Sequence, residues 1–248
     1  MISVIIPAHN CEQYVEQAVR SAAEQTVREK VEIIVIDDAS QDHTKDVVEK
    51  LLLSAGDHKI IYHRNEKNLG AAETRNVGIR MAHGEYLAFL DADDWWEKDK
   101  LEKQMIRMRK TDMPLVYTGR ELMNPDGSTT GKIVQVPETA TYKSLLRTNC
   151  IPCSSVLIRT NIAREFYMCH DELHEDYILW LRVLKKFGTA CGINEPLLKS
   201  RMSEGGKSRN KLKSARMHYG VYKYMGIPAW KALYLFICYA VNGIRKYI

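Results

Sequence analysis

The sequence is 248 residues long, 45% hydrophobic, and carries a formal net charge of +5. This length supports one large domain or two closely packed halves, and the apolar content is typical of a soluble protein and too even for a membrane channel. The first residues have no basic leader and predict a strand rather than a signal peptide, so we expect the six cysteines to stay reduced in a cytosol.

Four apolar runs in the first ninety residues are typical of buried strands: residues 2–6, 31–36, 59–63 and 86–90. Apolar residues recur at helical spacing between these runs, for example at Val15, Ala18 and Val19. Strands that alternate with helices predict a parallel sheet covered on both faces. In such a sheet, ligands bind beyond the carboxyl ends of the strands.

The alternation weakens after a helix predicted over residues 98–110. Short strands are predicted at residues 115–119 and 155–158, and the spacing within residues 176–187 predicts an amphipathic helix. Residues 199–213 are polar, basic and contain two adjacent glycines, which is typical of a mobile loop.

Charge is distributed unevenly along the chain. Residues 199–248 contain eleven Lys and Arg residues and one acid, which leaves a net charge of −5 on residues 1–198. A basic end that also contains Trp230, Leu233 and Ile237 favours an anionic membrane surface over nucleic acid. A docked C-terminal helix with a solvated basic face is the alternative. The apolar run 232–241 is too short to span a bilayer, which takes roughly 20 residues.

Polar side chains follow the first, second and fourth predicted strands, at residues 7–10, 37–38 and 91–94. Asp91, Asp93 and Asp94 would repel one another at the end of a buried strand, and a divalent cation such as Mg²⁺ or Mn²⁺ is a common solution. Helix capping is the alternative, because Asp94 and Glu97 match a capping box for a helix that starts near Trp95. One cap needs only one side chain, so capping does not explain all three acids.

No glycine-rich phosphate loop follows the first strand, which is followed by the sequence PAHN. Five segments in order instead resemble the inverting family 2 glycosyltransferases of the GT-A fold, over about residues 2–205. They are VIIPAHN, IDDASQD, NLGAAETRN, FLDADD and EDYILW. The resemblance implies an α/β fold with a Rossmann-like, mixed but mainly parallel sheet and helices on both faces.

The resemblance also implies roles on the donor side. The residues expected to bind the sugar nucleotide are Pro7, Ala8, His9, Asn10, Asp38, Arg75, Asp91, Ala92, Arg201 and Lys207. Asp38 would accept a hydrogen bond from the uracil N–H, or else act in a turn. Arg75 would contact phosphate or uracil, or else form an internal ion pair with one of the acids. Asp93 and Asp91 form the predicted Mn²⁺ or Mg²⁺ site, with Asp93 as the direct ligand and Asp91 on the ribose or a metal-bound water.

On the acceptor side, Asp176 matches the general base of the family, which takes the proton of the attacking sugar hydroxyl. Glu175 and Trp180 are expected near the acceptor, and a helix N-cap is the alternative role for Asp176. Many family members carry a Tyr-Arg-x-His-like segment in a loop over the diphosphate. This chain keeps the arginine as Arg201 but lacks the histidine, and Lys207 is a candidate substitute.

These expectations give a domain over residues 1–215, with a nucleotide-sugar-binding half (1–110) and an acceptor-binding half (111–215), followed by a basic amphipathic segment (216–248). The predicted activity is transfer of one sugar from a UDP-sugar to a glycan or lipid-linked acceptor, at the cytoplasmic side of the membrane and without nucleic acid. A sugar nucleotidyltransferase and a non-catalytic nucleotide-sugar or glycan-binding module are the alternatives. The sequence does not specify the sugar, the acceptor or the oligomeric state.

Overall fold

The computed structural model of the chain describes residues 1–54, 59–202 and 211–247. The strands within these ranges are β1 (Ile2–Ala8), β2 (Val31–Asp37), β3 (Lys59–Arg64), β4 (Tyr86–Phe89), β5 (Trp95–Trp96), β6 (Leu115–Met123), β7 (Thr129–Val134), β8 (Thr139–Thr141), β9 (Leu157–Arg159) and β10 (Thr189–Arg201). The α-helices are α1 (Val15–Ala23), α2 (Thr44–Ser54), α3 (Ala71–Met81), α4 (Lys100–Thr111), α5 (Tyr142–Arg147), α6 (Thr160–Phe166), α7 (Glu175–Phe187), α8 (Lys211–Tyr224) and α9 (Ala229–Tyr247).

One sheet contains all ten of these strands, and its central order is β3-β2-β1-β4-β9-β6-β10-β5. The strands β3, β2, β1 and β4 are parallel neighbours, and so are β6 and β10. The strand β9 runs antiparallel between β4 and β6, and β5 runs antiparallel to β10. This mixed, mainly parallel sheet confirms the predicted fold class. The sheet continues across residue 110, where the sequence suggested a division into halves.

The apolar side chains of the sheet fill two cores, one on each face. Along β1, Ile5 belongs to the core shared with α3, α6 and α7, whereas Val4 and Ile6 belong to the core shared with α1, α2 and α4. Alternate residues of a strand point to opposite faces, so a continuous run such as residues 2–6 serves both cores. The predicted covering of both faces is therefore confirmed.

The helix α7 forms where the sequence predicted an amphipathic helix. Its residues Tyr177, Leu181 and Leu184 are buried in the core that includes α5 and α6. Acidic side chains occupy its first turn and basic ones its last, which suits the helix dipole, and Gly188 ends it with a φ of 90°. The packing points the N-terminus of α7, with Glu175 and Asp176, toward the polar edge of the sheet.

Two local predictions are wrong. No helix starts near Trp95: Trp95 and Trp96 form β5, paired with Lys199 and Leu198, and the next helix begins at Lys100. Residues 199–201 are the end of β10 rather than part of a loop, and residues from 211 onward are helical. The part of the predicted loop at residues 203–210, including Lys207, lies outside the described residues.

The C-terminal segment forms the two helices α8 and α9, as the basic amphipathic segment predicted. The helix α9 packs Ala232 and Leu235 against the domain. Of the helices in the described ranges, none combines the length and the apolar character needed to cross a membrane.

Candidate active site

The carboxyl ends of β1, β2 and β4 lie side by side, because these strands are parallel neighbours whose registers pair Ala8 with Asp37 and Ile5 with Phe89. The segments after β1 and β2 are bound to each other. His9 Nδ1 lies 2.8 Å from the Asp38 carbonyl oxygen, and the Asn10 N–H donates to Ser40 Oγ at 3.0 Å. At the end of β1, Pro7 is partly buried and Ala8 is buried, whereas His9 and Asn10, which follow the strand, are exposed.

Asp38 holds the loop that precedes α3. Its buried carboxylate accepts hydrogen bonds from the backbone N–H groups of Leu69 (2.8 Å) and Gly70 (3.0 Å) and from Asn65 Nδ2 (2.9 Å). The sequence predicted a uracil contact for this carboxylate, with a turn role as the alternative. The structure shows the local role, and the uracil contact stays a prediction.

The N-terminus of α3 is fixed from a distant part of the chain. Asp171 Oδ1 accepts the Ala72 N–H at 3.1 Å, and a Cβ atom on Gly70 would lie 2.7 Å from Asp171 Oδ2. Gly70 also has a φ of 82°, so both its conformation and its surroundings require glycine. This arrangement sets the direction of α3 and of Arg75, one turn further along it.

The acidic segment after β4 contains one buried aspartate, Asp94, and two partly buried ones, Asp91 and Asp93. The N–H of Asp94 donates to the Asp91 carbonyl oxygen at 3.0 Å and closes a turn, and the Asp91 N–H donates to Ser154 Oγ at 3.1 Å. Asp94 is buried, and its Oδ1 accepts the Arg201 N–H at 3.0 Å. Burial, reinforced by the charges of Asp93 and Asp91, raises the pKa of Asp94 well above its usual range. Asp91 and Asp93 are only partly buried, so part of each residue is exposed at the surface.

Arg201 contacts this acidic segment through its side chain as well as its backbone. Its guanidinium lies between the rings of Tyr14 and Trp95, at 4.7 and 4.8 Å from their centroids. It donates to the Asp93 carbonyl oxygen at 3.0 Å and to Gln17 Oε1 at 2.7 Å. The guanidinium therefore binds the chain itself in this structure, and its predicted contact with a diphosphate stays a prediction.

Arg75 joins the donor side of the site to the acceptor side. Its Nη2 lies 2.6 Å from Asp91 Oδ1, and its Nη1 lies 2.8 Å from Glu175 Oε1. The side chains of Arg75 and Glu175 are only 7% and 8% exposed, whereas that of Asp91 is 35% exposed. The structure thus shows the internal ion pair that was the alternative to a phosphate or uracil contact, and it places Glu175 against Arg75.

Asp176 is the next residue of α7. Its Oδ1 accepts the N–H of Tyr177 at 2.7 Å. Burial raises its pKa to about 6, with a smaller contribution from the charge of Glu175, while His174 and Arg75 oppose the shift. A carboxylate with this pKa is ionised at neutral pH and is a stronger base than an ordinary aspartate.

The donor-side and acceptor-side groups share one neighbourhood around Cys153. Burial raises the pKa of this thiol well above its usual range; the charge of Arg75 opposes the shift, and those of Asp91, Asp176 and Glu175 add to it. One buried sulfur is therefore close enough to respond to all four groups. Acids from distant segments, Asp91 on one side and Glu175 and Asp176 on the other, thus lie within electrostatic reach of the same buried sulfur.

Trp180 does not reach the acceptor side as predicted. Its side chain has no exposed surface and packs against Phe89, with ring centroids 6.2 Å apart, in the core beneath α7. The residue faces inward because it follows Tyr177 by three positions and therefore lies on the same helix face.

Sequence reasoning did not find the roles of three residues that shape the site. Ser154 and Cys153 belong to a 3-10 helix (Cys153–Ser155) that lies under Asp91, and Asp171 fixes α3. The sequence showed Cys153 only as half of an isolated C-x-x-C pattern. The contacts of Ser154 and Asp171 join positions 63 and 99 residues apart, and no local pattern indicates them.

The donor set suits a hard divalent cation that a ligand helps to coordinate. Among the described residues, no group of three or more His, Cys, Asp or Glu side chains is arranged to hold a metal ion. Asp93 and Asp91 supply carboxylate oxygens, which Mg²⁺ and Mn²⁺ prefer. Mg²⁺ sites commonly use one or two carboxylates together with substrate phosphates, so the residues present fit a metal bound together with a diphosphate.

Comparisons with known proteins identify the family of the chain. The family model described as Glycosyl transferase family 2 matches residues 3–163. A Bacillus subtilis protein named as a teichuronic acid biosynthesis glycosyltransferase, TuaG, is 36% identical over 99% of this chain and 97% of its own length. An Escherichia coli protein named UDP-Glc:alpha-D-GlcNAc-diphosphoundecaprenol beta-1,3-glucosyltransferase, WfaP, is 34% identical over 100% of this chain and 95% of its own.

Solved structures share the fold. S. aureus TarS 1–349 in complex with UDP-GlcNAc superposes with a TM-score of 0.73 at 20% identity, over 91% of this chain and 65% of that one. The mannosyltransferase PcManGT from Pyrobaculum calidifontis, in complex with GDP-Man and Mn²⁺, gives a TM-score of 0.73 at 18% identity, over 92% and 64%. This chain therefore spans less than two thirds of either of these structures.

Proposed function

The chain belongs to glycosyl transferase family 2 and is a glycosyltransferase. We propose that it transfers one sugar from a UDP-sugar to a hydroxyl group of a glycan or lipid-linked oligosaccharide. In this proposal the transfer inverts the anomeric configuration and requires a divalent metal. The observation that carries this proposal is the bridge from Asp91 through Arg75 to Glu175, beside Asp176. It supports the proposal because it ties the carboxylate proposed to serve the donor, Asp91, to the start of α7, where a second carboxylate has a raised pKa.

Asp176 acts as the general base. An acceptor hydroxyl has a high pKa and needs a positioned carboxylate to take its proton as its oxygen attacks the anomeric carbon. The pKa of about 6 leaves Asp176 ionised at neutral pH and still basic enough to be effective. Attack from the Asp176 side, opposite to the departing diphosphate, gives inversion.

Asp93, assisted by Asp91, would hold Mn²⁺ or Mg²⁺ together with the diphosphate. When bound, the metal would supply positive charge that stabilises the leaving nucleoside diphosphate. The buried carboxylate of Asp94 accepts the Arg201 N–H and ties the turn to β10, which helps the turn to hold its shape. Arg75 keeps Asp91 in position and contributes a fixed positive charge beside the cleft.

The donor nucleotide is proposed to be a uridine diphosphate. The names of WfaP and the TarS complex include UDP-Glc and UDP-GlcNAc, whereas that of PcManGT includes GDP-Man. Residues 7–10 and the loop held by Asp38 form the edge where the nucleoside would lie, with Ala92 lining the turn between Asp91 and Asp93.

The acceptor is proposed to be a lipid-linked glycan at the cytoplasmic face of the membrane. WfaP is named for a diphosphoundecaprenol-linked acceptor, and it matches this chain over almost its full length. Peripheral contact through the basic C-terminal helices would keep the enzyme near such an acceptor, and nucleic acid has no part in the reaction.

Calorimetric titration with UDP tests the donor side. We expect binding that requires Mn²⁺ and that weakens about tenfold or more in Asp93→Ala, because an oxygen ligand is lost. Asp112→Ala is the matched control, since Asp112 is 94% exposed at the C-terminal end of α4 and should leave UDP affinity unchanged. UDP affinity that is the same with and without Asp93 would contradict the proposal.

Asp176→Asn separates an enzyme from a binding module. We expect turnover to fall by about two to four orders of magnitude while UDP affinity stays the same. A panel of UDP-sugars assayed with Mn²⁺ would then identify the transferred sugar. Full turnover by Asp176→Asn would exclude Asp176 as the base.

A further inference from the structure

The helix α9 is apolar on two faces. Its inner face packs Ala232 and Leu235 into the domain, where they are 1% and 4% exposed. Its outer face carries a second apolar row that we call the outer stripe: Trp230 (76% exposed), Leu233 (56%), Tyr234 (55%), Ile237 (55%) and Val241 (44%). These positions are three or four residues apart and therefore lie on one side of the helix. One apolar face is sufficient to dock a helix, so the second has another cause.

The outer stripe differs from exposed apolar residues that stand alone on the described chain, of which Leu53, Ile106 and Ile133 are examples. Leu53, Ile106 and Ile133 lie on α2, α4 and β7, each on a separate part of the surface. Single exposed apolar residues are normal on a protein surface, whereas a contiguous row is typical of an interaction surface.

The charge of the surrounding segment identifies the partner. Residues 211–247 contain seven Lys and Arg residues and no Asp or Glu. A protein partner or a second copy of this basic segment would have to neutralise that charge, whereas an anionic lipid headgroup layer attracts it. Trp and Tyr side chains, as at Trp230 and Tyr234, are favoured at the boundary between headgroups and acyl chains.

We infer that the outer stripe of α9 docks the protein on an anionic lipid bilayer, with the helix lying in the plane of the interface. This inference rests on the proposed function, because a lipid-linked acceptor is presented at such a surface. A helix of 19 residues is about 28 Å long and lies flat with one apolar face immersed in the headgroup region.

The docked helix is connected to the catalytic base through α8. His174 Nε2 lies 3.2 Å from the Ser214 carbonyl oxygen, and the His218 ring stacks on Tyr177 with centroids 4.8 Å apart. These contacts flank the Glu175–Asp176 pair on both sides. A bilayer bound to α9 therefore lies at a fixed position relative to Asp176, which restricts where the acceptor hydroxyl can meet it.

Vesicle flotation of the full chain tests the inference. We expect the protein to float with vesicles of phosphatidylcholine and phosphatidylglycerol and much less with phosphatidylcholine alone. The double variant Leu233→Glu/Ile237→Glu should reduce the bound fraction by about tenfold or more, because it puts two negative charges on the immersed face. The matched control Ile106→Glu/Ile133→Glu adds the same charges at similarly exposed apolar positions and should bind like the wild type.

The outcomes separate this inference from the proposed function. Wild-type protein that stays in the unbound fraction, or an outer-stripe variant that floats fully, would overturn the inference. A wild-type dimer in sedimentation that the outer-stripe variant dissociates, without vesicle binding, would assign the stripe to a second copy and also overturn it. UDP titration in lipid-free buffer should be identical in wild type and outer-stripe variant, so loss of UDP binding by both would count against the proposed function alone.

Discussion

Arg75 and Asp91 form an ion pair of 2.6 Å in which the arginine is almost fully buried and the aspartate is one third exposed. The same guanidinium holds Glu175, from a helix that begins 100 residues further along the chain. A planar guanidinium can bond two carboxylates at once, which a lysine ammonium does not reproduce. One side chain thus holds together the segment after β4 and the N-terminus of α7.

Arg75→Lys should therefore impair catalysis more than folding. We expect kcat to fall about tenfold or more, because Asp91 and Glu175 are no longer held together, while the charge of the site is kept. Arg75→Ala should lower the free energy of unfolding by about 3–5 kcal/mol, since it leaves two carboxylates without their buried partner. Steady-state kinetics and urea denaturation measure the two effects.

Arg80→Lys is the control for this pair of variants. Arg80 lies on the same helix and pairs with Glu73 at 2.6 Å, but both side chains are nearly half exposed. Exposed pairs contribute little, so we expect changes within about 0.5 kcal/mol and normal turnover. Equal effects of the two lysine substitutions on kcat would contradict the bridging role of Arg75.

The pH dependence of turnover should follow Asp176. A base with a pKa of about 6 is ionised above that pH, so kcat should fall as the pH drops through about 6. Glu175→Gln removes a neighbouring negative charge that helps to raise this pKa, and it should move the acidic limb of the profile to lower pH. Glu172→Gln is the control, because Glu172 is 68% exposed and pairs with His170. An acidic limb that is unchanged in Glu175→Gln would contradict this assignment.

Much of the site could be predicted from the sequence because it follows from strand order. The apolar runs at residues 2–6, 31–36 and 86–90 predicted parallel strands, and the structure confirms that the polar segments after them lie together. Predictions from local patterns were less successful. The capping-box pattern of Asp94 and Glu97 gave a helix, but Asp94 instead accepts the N–H of Arg201, 107 residues away.

The prediction that Trp180 lies near the acceptor was wrong for a related reason. The spacing of residues 176–187 showed that α7 has an apolar face, but it did not show which side chains of that face the core would cover completely. That depends on β4, where Phe89 contacts the indole. The partners of Arg75 likewise could not be predicted from the neighbouring sequence. An internal ion pair and a phosphate contact both require a buried guanidinium, so the local pattern is the same for both.

Asp176→Asn should stabilise the fold while it removes activity. The folded-state pKa of about 6 lies above the ordinary value of 3.8, so the folded protein holds this proton more tightly than the unfolded chain does. The contribution of Asp176 to stability is therefore lost as the pH rises from about 4 to 6, and the charged group destabilises the fold at pH 7. We expect the neutral asparagine to raise the free energy of unfolding at pH 7 by ~1 kcal/mol. At pH 4 the gain should vanish, and a gain that is equal at both pH values would contradict this origin.

His218 should make the fold sensitive to acid. Burial, with a smaller contribution from His174, lowers the pKa of His218 from 6.5 to about 3. Its ring stacks between Tyr177 and Tyr239, and its Nε2 lies 2.9 Å from the Tyr222 hydroxyl oxygen. Between pH 6.5 and 3, His218 is protonated in the unfolded chain but remains neutral in the folded protein. The free energy of unfolding therefore decreases as the pH falls, by at most about 1.4 kcal/mol per pH unit from this group.

His218→Phe keeps a ring between the two tyrosines but removes the titrating group and the hydrogen bond to Tyr222. We expect a loss of about 1 kcal/mol at pH 7 and a shallower decline of stability between pH 6.5 and 3, measured by urea denaturation across that range. His43→Phe is the control, because the side chain of His43 is 81% exposed, and its curve should keep the wild-type slope over the lower part of the range. Parallel curves for wild type and His218→Phe would show that the buried histidine is not what couples the α8–α7 contact to pH. A shallower slope confined to His218→Phe would locate the acid-sensitive contact directly beside Asp176, the proposed base.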